Sequence, residues 1–258
     1  MKMSCNVPLL ILTVTLLFAG CTKTDGVSTG DSLSQTVASE ATTPDLSKCK
    51  IRRIYQDFSG QRVSALFSYN TAGNPYSVLY SNGGTGVDNH FFIYDSKNRL
   101  TEWRLTWGDF PVVHHYYKYN ETNQIVKDST IRRNAGNGED NYVAVSTIEY
   151  DAMGRVVKET IVNTYNRNGP LDVTRRPTFT YDSRGNLAVA GWKSSSYDFK
   201  INPLRQNQVL QFVMRNYSMN NAAPQAKYNS LGLPLSINPA NDLLFNNLIT
   251  YQVVYDCQ

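Results

Sequence analysis

Three histidines, five carboxylates on strand-like runs and a pair of tryptophans are the side chains here with chemistry to offer. His90 and His115 each stand four residues ahead of a tyrosine, Tyr94 and Tyr119. A repeating strand geometry would place them on one face, two strands apart, with His114 pointing the other way. A metal ion needs three or four ligands converging at about 2 Å. No His, Cys or Asp cluster with ligand spacing is present, so neither a metal nor another cofactor is expected. Glu102, Asp109, Asp128, Glu149 and Glu159 alternate onto the polar side of their runs and read as solvated surface, not as the acid and base of a glycosidase. Neither a Gly-x-Ser-x-Gly elbow nor a His-Glu-x-x-His pair occurs. The expectation is therefore no enzyme. Two carboxylates sharing a cleft would instead favour an extracellular polysaccharide hydrolase or lyase. Trp103, Leu105 and Trp107 share one face of one strand. Such a stripe either packs in a core or stacks on sugar rings, so Trp103 and Trp107 are the candidate glycan-binding residues.

Two glycine-rich stretches need a bland explanation. Residues 81–86 would cradle phosphate only if a helix opened after them, and the strand-like His90-Phe91-Phe92 follows instead. Residues 134–140 end in Glu139 and Asp140 but lack the alternating oxygen ligands of a calcium loop. Both are expected to be hairpin loops.

The elements that must carry these side chains announce themselves by repetition. The template is Tyr, Asp or Asn, two variable residues, Gly or Asn, one variable residue, then Leu, Ile, Val or Pro. Six copies start at Tyr69, Tyr94, Tyr119, Tyr150, Tyr181 and Tyr228, spaced by 25, 25, 31, 31 and 47 residues. The fifth position holds Gly73, Asn98, Asn123, Gly154, Gly185 and Gly232. Gly and Asn are the residues that best tolerate a left-handed backbone. The Asp or Asn side chain can hydrogen-bond the backbone two residues on and open the turn. Two residues before each Tyr the side chain is mostly apolar, and one residue before it is mostly polar. Each period thus reads as two long strands and two turns, with a buried Tyr face. The expected fold is all-β: a large curved antiparallel meander, or a barrel-like shell, of long hairpins with about twelve to fourteen strands.

The 47-residue gap breaks the rhythm. Asn202 can cap a helix with Pro203 at its first position, and Leu204, Val209, Leu210 and Val213 give it an apolar side. One short helix in the 197–221 insertion is expected to plug one side of the sheet.

A formal net charge of +4 over 258 residues, with no dense Arg/Lys cluster, gives no footprint for nucleic acid. Of four cysteines, Cys5 and Cys21 belong to the N-terminal region. Cys49 and Cys257 stand near the two ends of the remaining chain. In an oxidising compartment they would bridge; in a reducing one they would stay thiols.

Two resemblances follow from quoted residues. Lys2, the apolar run 7–18, then Phe18, Ala19, Gly20 and Cys21 resemble the lipobox of bacterial lipoproteins, in which cleavage precedes a cysteine that takes the lipid. The likeness implies a signal peptide (1–20), lipid attachment at Cys21, a membrane partner through that anchor and a place in the cell envelope as an outer-membrane lipoprotein. Residues 21–47, rich in Ser and Thr, read as a flexible tether, and 48–258 as the β domain. The template, fullest at Tyr150-Asp151-x-x-Gly154-Arg155-Val156, resembles the YD-repeat of Rhs-type proteins, and the chain is similar to a family of Gram-negative surface lipoproteins with such hairpins. Residues 197–203 and 218–221 carry a second likeness to that family. It implies a curved β-meander without known catalysis. The expected role is a non-enzymatic binding or scaffold module at the envelope, with extracellular glycan as ligand or, alternatively, a surface protein as partner.

Overall fold

The computed structural model describes residues 48–58, 61–83, 87–134, 136–166, 168–188, 197–221, 227–237 and 251–257. The expected signal peptide, tether and Cys21 lie outside the described residues. Ten strands run as an unbroken antiparallel meander: β1 (Cys49–Phe58), β2 (Gln61–Tyr69), β3 (Pro75–Tyr80), β4 (Asn89–Tyr94), β5 (Leu100–Trp107), β6 (Phe110–Tyr119), β7 (Ile125–Arg133), β8 (Asp140–Tyr150), β9 (Val156–Asn166) and β10 (Gly169–Arg175). Two short strands pair apart, β11 (Thr180–Tyr181) with β12 (Leu187–Ala188). The chain then returns as β13 (Ser236–Ile237) and β14 (Tyr251–Cys257), and β14 pairs with β1.

The twelve-stranded sheet thus has β10 at one edge and β13 at the other. It is curved and open, not a closed barrel, because the late strands add to the β1 side and do not reach β10. Cys49 and Cys257 face each other across the β1–β14 ladder, with Cα atoms 4.0 Å apart, and form a disulfide. The bridge joins the first long strand to the last but closes no barrel.

Alternation decides which side is core. On β2, Val63, Ala65 and Phe67 are buried; on β8, Ala144, Ser146 and Ile148 are. This face is covered by the insertion. The expected short helix is present, preceded by a 3₁₀ turn. Asn202 caps a 3₁₀ turn (Pro203–Gln206), its side chain accepting from the Leu204 N–H. Asn207 is extended and caps α1 (Gln208–Met214), accepting from the Val209 and Leu210 N–H groups. Asn207 also donates to Gly73 O (3.2 Å) and Asn74 Oδ1 (3.3 Å), and so ties the helix to the first turn. Those bonds explain why the helix restarts at Asn207. Leu210, Phe212, Val213 and Met214 enter the core, where Phe212 meets Tyr117 edge-on at 5.4 Å. At about 1.5–3 kcal/mol per fully buried large apolar side chain, these four hold α1 against the sheet.

Candidate functional site

Alternate connections of a meander fall at the same end of the sheet, so the first four template turns form a row along one rim. Five of the six turns have the same bonds, and in the third the Thr122 hydroxyl, in place of its N–H, donates to Asn120 Oδ1. In the best copy, Asp151 N donates to Arg155 O and Gly154 N to Asp151 O, while Asp151 Oδ1 accepts from the N–H groups of Met153 and Arg155, both at 2.9 Å. Arg155 closes the turn from Nε onto Asp151 Oδ2 at 2.7 Å. The fifth residue is left-handed in every copy: φ is 83° at Gly73, 58° at Asn98, 63° at Asn123, 76° at Gly154, 81° at Gly185 and 77° at Gly232. Burial pulls the Asp151 carboxyl up, but the Arg155 N–H and guanidinium and the Met153 N–H outweigh it and hold the carboxyl below the ordinary range.

The tyrosines form a second row beneath the turns. Tyr94 donates to Pro75 O (2.6 Å), Tyr119 to Leu100 O (2.9 Å), Tyr150 to Ile125 O (2.7 Å) and Tyr181 to Val156 O (3.0 Å). Each acceptor is the seventh template residue of the preceding copy, so each of these four Tyr residues stitches its hairpin to the one before. Tyr69 begins the series on Ile51 O, Tyr197 uses Leu187 O, and Tyr255 ends it on Pro234 O. Tyr228 departs from the series and donates to Asp198. Burial pushes the Tyr69, Tyr94, Tyr150 and Tyr181 hydroxyls far above their ordinary pKa.

Between the turn rim and the first half of α1 lies a cavity of about 400 Å³. Tyr119, Tyr150, Phe212 and Tyr217 supply its rings. Asn98, Asn123, Gln124, Gln208 and Gln211 supply amides, and among the described residues Arg99 brings the one formal charge and no acidic side chain lines the cavity.

The teneurin YD-shell family profile matches residues 45–202, more than half of the chain. The chain belongs to the teneurin YD-shell family. Membership marks the domain as a structural scaffold. Copy six, α1 and Cys257 lie beyond the matched residues of the YD-shell. No curated protein matches the chain. Among solved structures, a chain of the TcdB2–TccC3–Cdc42 crystal structure is similar at 18% identity with a TM-score of 0.21. The similarity covers 58% of this chain and 8% of that one, an overlap too weak to bear on fold or function.

The structure disperses the residues singled out by sequence. Trp103 does not share an exposed stripe with Trp107. Its ring packs against the core, stacked between His90 (centroids 5.5 Å) and His115 (4.7 Å). Trp103 Nε1 donates to His90 Nδ1 at 3.2 Å. Burial, then His115, lowers the His90 pKa to about 4, which keeps the ring neutral as acceptor. Trp107 sits at the far end of β5, opposite Phe110 and 48% exposed.

The carboxylates need a correction. Asp109 and Glu149 are solvated as expected, but Glu102, Asp128 and Glu159 are only 8%, 5% and 8% exposed. Glu102 is on the expected outer face, shielded by Arg104 (2.6 and 2.8 Å) and His114 (2.8 Å). Asp128 and Glu159 lie on the core face. Asp128 Oδ2 is 2.9 Å from His115 Nδ1, and Glu159 accepts from the buried Arg215. Burial works against the Arg215 charge, but Glu159 and Tyr117 beside it raise its pKa. Neither Asp128 nor Glu159 lines the cavity. Among the described residues, no group of three or more His, Cys, Asp or Glu could hold a metal ion.

Residues 197–203 and 218–221, flagged by resemblance, do meet. Asp198 N donates to Asn221 O and Asn202 N to Met219 O, while Asn221 Nδ2 reaches Asp198 Oδ2 at 3.2 Å. They frame the insertion that carries α1. The cavity itself was missed. Its signal was the placement of asparagine, not glycine, at the left-handed position of two successive copies, together with the amides at 208 and 211.

Proposed function

We propose that the chain is a non-enzymatic scaffold and binding module held at the bacterial cell envelope by a lipid on Cys21. The observation that carries this reading is the Cys49–Cys257 bridge, which belongs to an oxidising compartment. It agrees with the address read from the run ending at Cys21. The YD-shell architecture supports the scaffold role. The buried state of Asp128, hydrogen-bonded to His115, and of Glu159, paired with Arg215, argues against an extracellular polysaccharide hydrolase or lyase, because neither carboxylate borders the cavity. Radiolabelled palmitate should enter the wild-type chain and not Cys21→Ala in a Gram-negative host. Equal labelling of the two would refute the anchor.

A bound glycan is the finer part of this reading. A surface protein is the second candidate, favoured by the sheet face away from α1, where Leu79 and Tyr116 are 38% and 39% exposed. Affinity capture on immobilised sugars, set against pull-down from native membranes, separates the two.

A further inference from the structure

Asn98 and Asn123 occupy the one template position where the backbone asks for glycine. Four copies supply it; the second and third, neighbours on the rim, do not. A left-handed asparagine is tolerated but less comfortable than glycine, so the side chain has a use at these two places. Both line the cavity beside α1.

Their amides are half used. Asn98 Oδ1 accepts from Asn70 Nδ2 at 3.0 Å, and Asn123 Oδ1 lies 3.5 Å from Arg99 Nη1. Gln124 Oε1 accepts from Thr122 Oγ1 at 3.3 Å and Asn120 Nδ2 at 3.4 Å. No hydrogen bond among the described residues takes the NH₂ groups of Asn98, Asn123 or Gln124, nor the side-chain amides of Gln208 and Gln211. The walls therefore offer several donors and a few whole amides around the Tyr119, Tyr150, Tyr217 and Phe212 rings. The charge of Arg99 is taken up locally: Nε donates to Asp95 Oδ2 at 2.8 Å, and the guanidinium lies 4.8 Å from the centre of the Tyr119 ring.

We propose that this cavity is a saccharide subsite for neutral sugar rings, and that Asn98 and Asn123 donate to their hydroxyl or ring oxygens. The proposal rests on the glycan part of the function above and moves the site away from Trp103 and Trp107. Amides match vicinal hydroxyls, and aromatic walls cover the C–H faces of a ring. Among the described residues the wall has no carboxylate and one cation, already paired, which gives no strong pull on an acidic sugar. The volume lies at the small end of the range for ligand sites, about 300–1,000 Å³, which suits one or two rings.

The test uses the full-length chain in detergent on an array of neutral hexose oligosaccharides printed beside uronate oligosaccharides and unrelated peptides. The variant is Asn98→Gly/Asn123→Gly, which keeps the turn backbone and deletes both donors. Trp107→Ala is the companion, and thermal unfolding checks the fold. Wild type and Trp107→Ala should bind neutral sugars, and the double glycine variant should lose about tenfold or more at unchanged melting temperature. Neutral-sugar binding undiminished in the double variant overturns the site but leaves the glycan reading standing. Wild-type chain that captures only peptides, or no spot at all, overturns both. Preference for the uronates overturns the ligand class.

Discussion

Asp151 is the residue on which the best-formed turn depends, and its replacement separates the two things it does. Oδ1 accepts two backbone N–H groups at 2.9 Å, and Oδ2 holds the Arg155 guanidinium at 2.7 Å. Asp151→Ala removes all of these. A hydrogen bond to a charged group contributes about 1.5–3 kcal/mol when well buried. The Asp151 side chain is 22% exposed, so we discount that for solvent and expect a loss of about 3 kcal/mol in total. Asp151→Asn keeps the Oδ1 bonds, as Asn70, Asn120 and Asn229 do in their copies, and loses the charge and the guanidinium. Its cost should be about 1 kcal/mol. The pH dependence follows from the depressed carboxyl. A folded pKa below the unfolded value of about 3.9 gives stability that is complete above that value and lost as pH falls through the folded one. The gap between wild type and Asp151→Asn should therefore be present at pH 7 and shrink towards zero in strong acid. Urea unfolding followed by far-UV circular dichroism at both pH values reads it. If Asp151→Asn unfolds like Asp151→Ala at pH 7, the backbone bonds of the Asx turn are not what stabilises it.

Two further perturbations address the core and the seam. Arg215→Met strands Glu159 beneath α1 as an unpaired carboxylate and should cost about 3–5 kcal/mol; adding Glu159→Gln should recover more than half, measured as a shift in urea midpoint, and no recovery would mean the loss is one of packing. Joining strands 208 residues apart, the Cys49–Cys257 bridge has an entropic ceiling of about 5 kcal/mol. Dithiothreitol should lower the wild-type midpoint and leave Cys49→Ser/Cys257→Ser unmoved; identical midpoints with and without the reductant would deny the bridge any stabilising role.

The turns were legible because their chemistry is local. An Asx side chain, a left-handed fifth residue and strand alternation on both sides sit within a dozen residues, and each demands the next. The meander followed, as did the disulfide pairing of the first and last long strands. The carboxylates were not legible for the opposite reason. β7 carries polar residues on both faces, so alternation says that Asp128 and Lys127 part company but not which one goes inside. What decides it is His115 from the neighbouring strand. For Glu159 the deciding group is Arg215, 56 residues further on in sequence. Bulges add to the difficulty: the register shift at Val143/Ala144 resets the phase of β8 against β9. Copies five and six also fell short of long hairpins. Segment 177–179 docks beside β9 through Pro177 O and the Phe179 N–H, and β11 and β12 are left as a two-residue pair.

The template leaves little of itself for recognition. Its Tyr hydroxyl is bound to the preceding hairpin, its Asx oxygens to the turn, its fifth residue to a backbone conformation and its seventh carbonyl to the next Tyr. A side chain so engaged cannot also bind a ligand without loosening the rim. Specificity must then come from positions where the template allows a choice, or from elements laid over it. The cavity draws on both: asparagine for glycine at 98 and 123, the variable Arg99 and Gln124, and the amides of α1. The same logic explains why the helix arrives where it does. Asn207 caps α1 while bonding the first turn, so one residue fixes the distance between the rim and the helix that faces it. Under the saccharide reading proposed above, the ligand changes with the few side chains facing that gap, while every stitch that holds the hairpins together stays as it is.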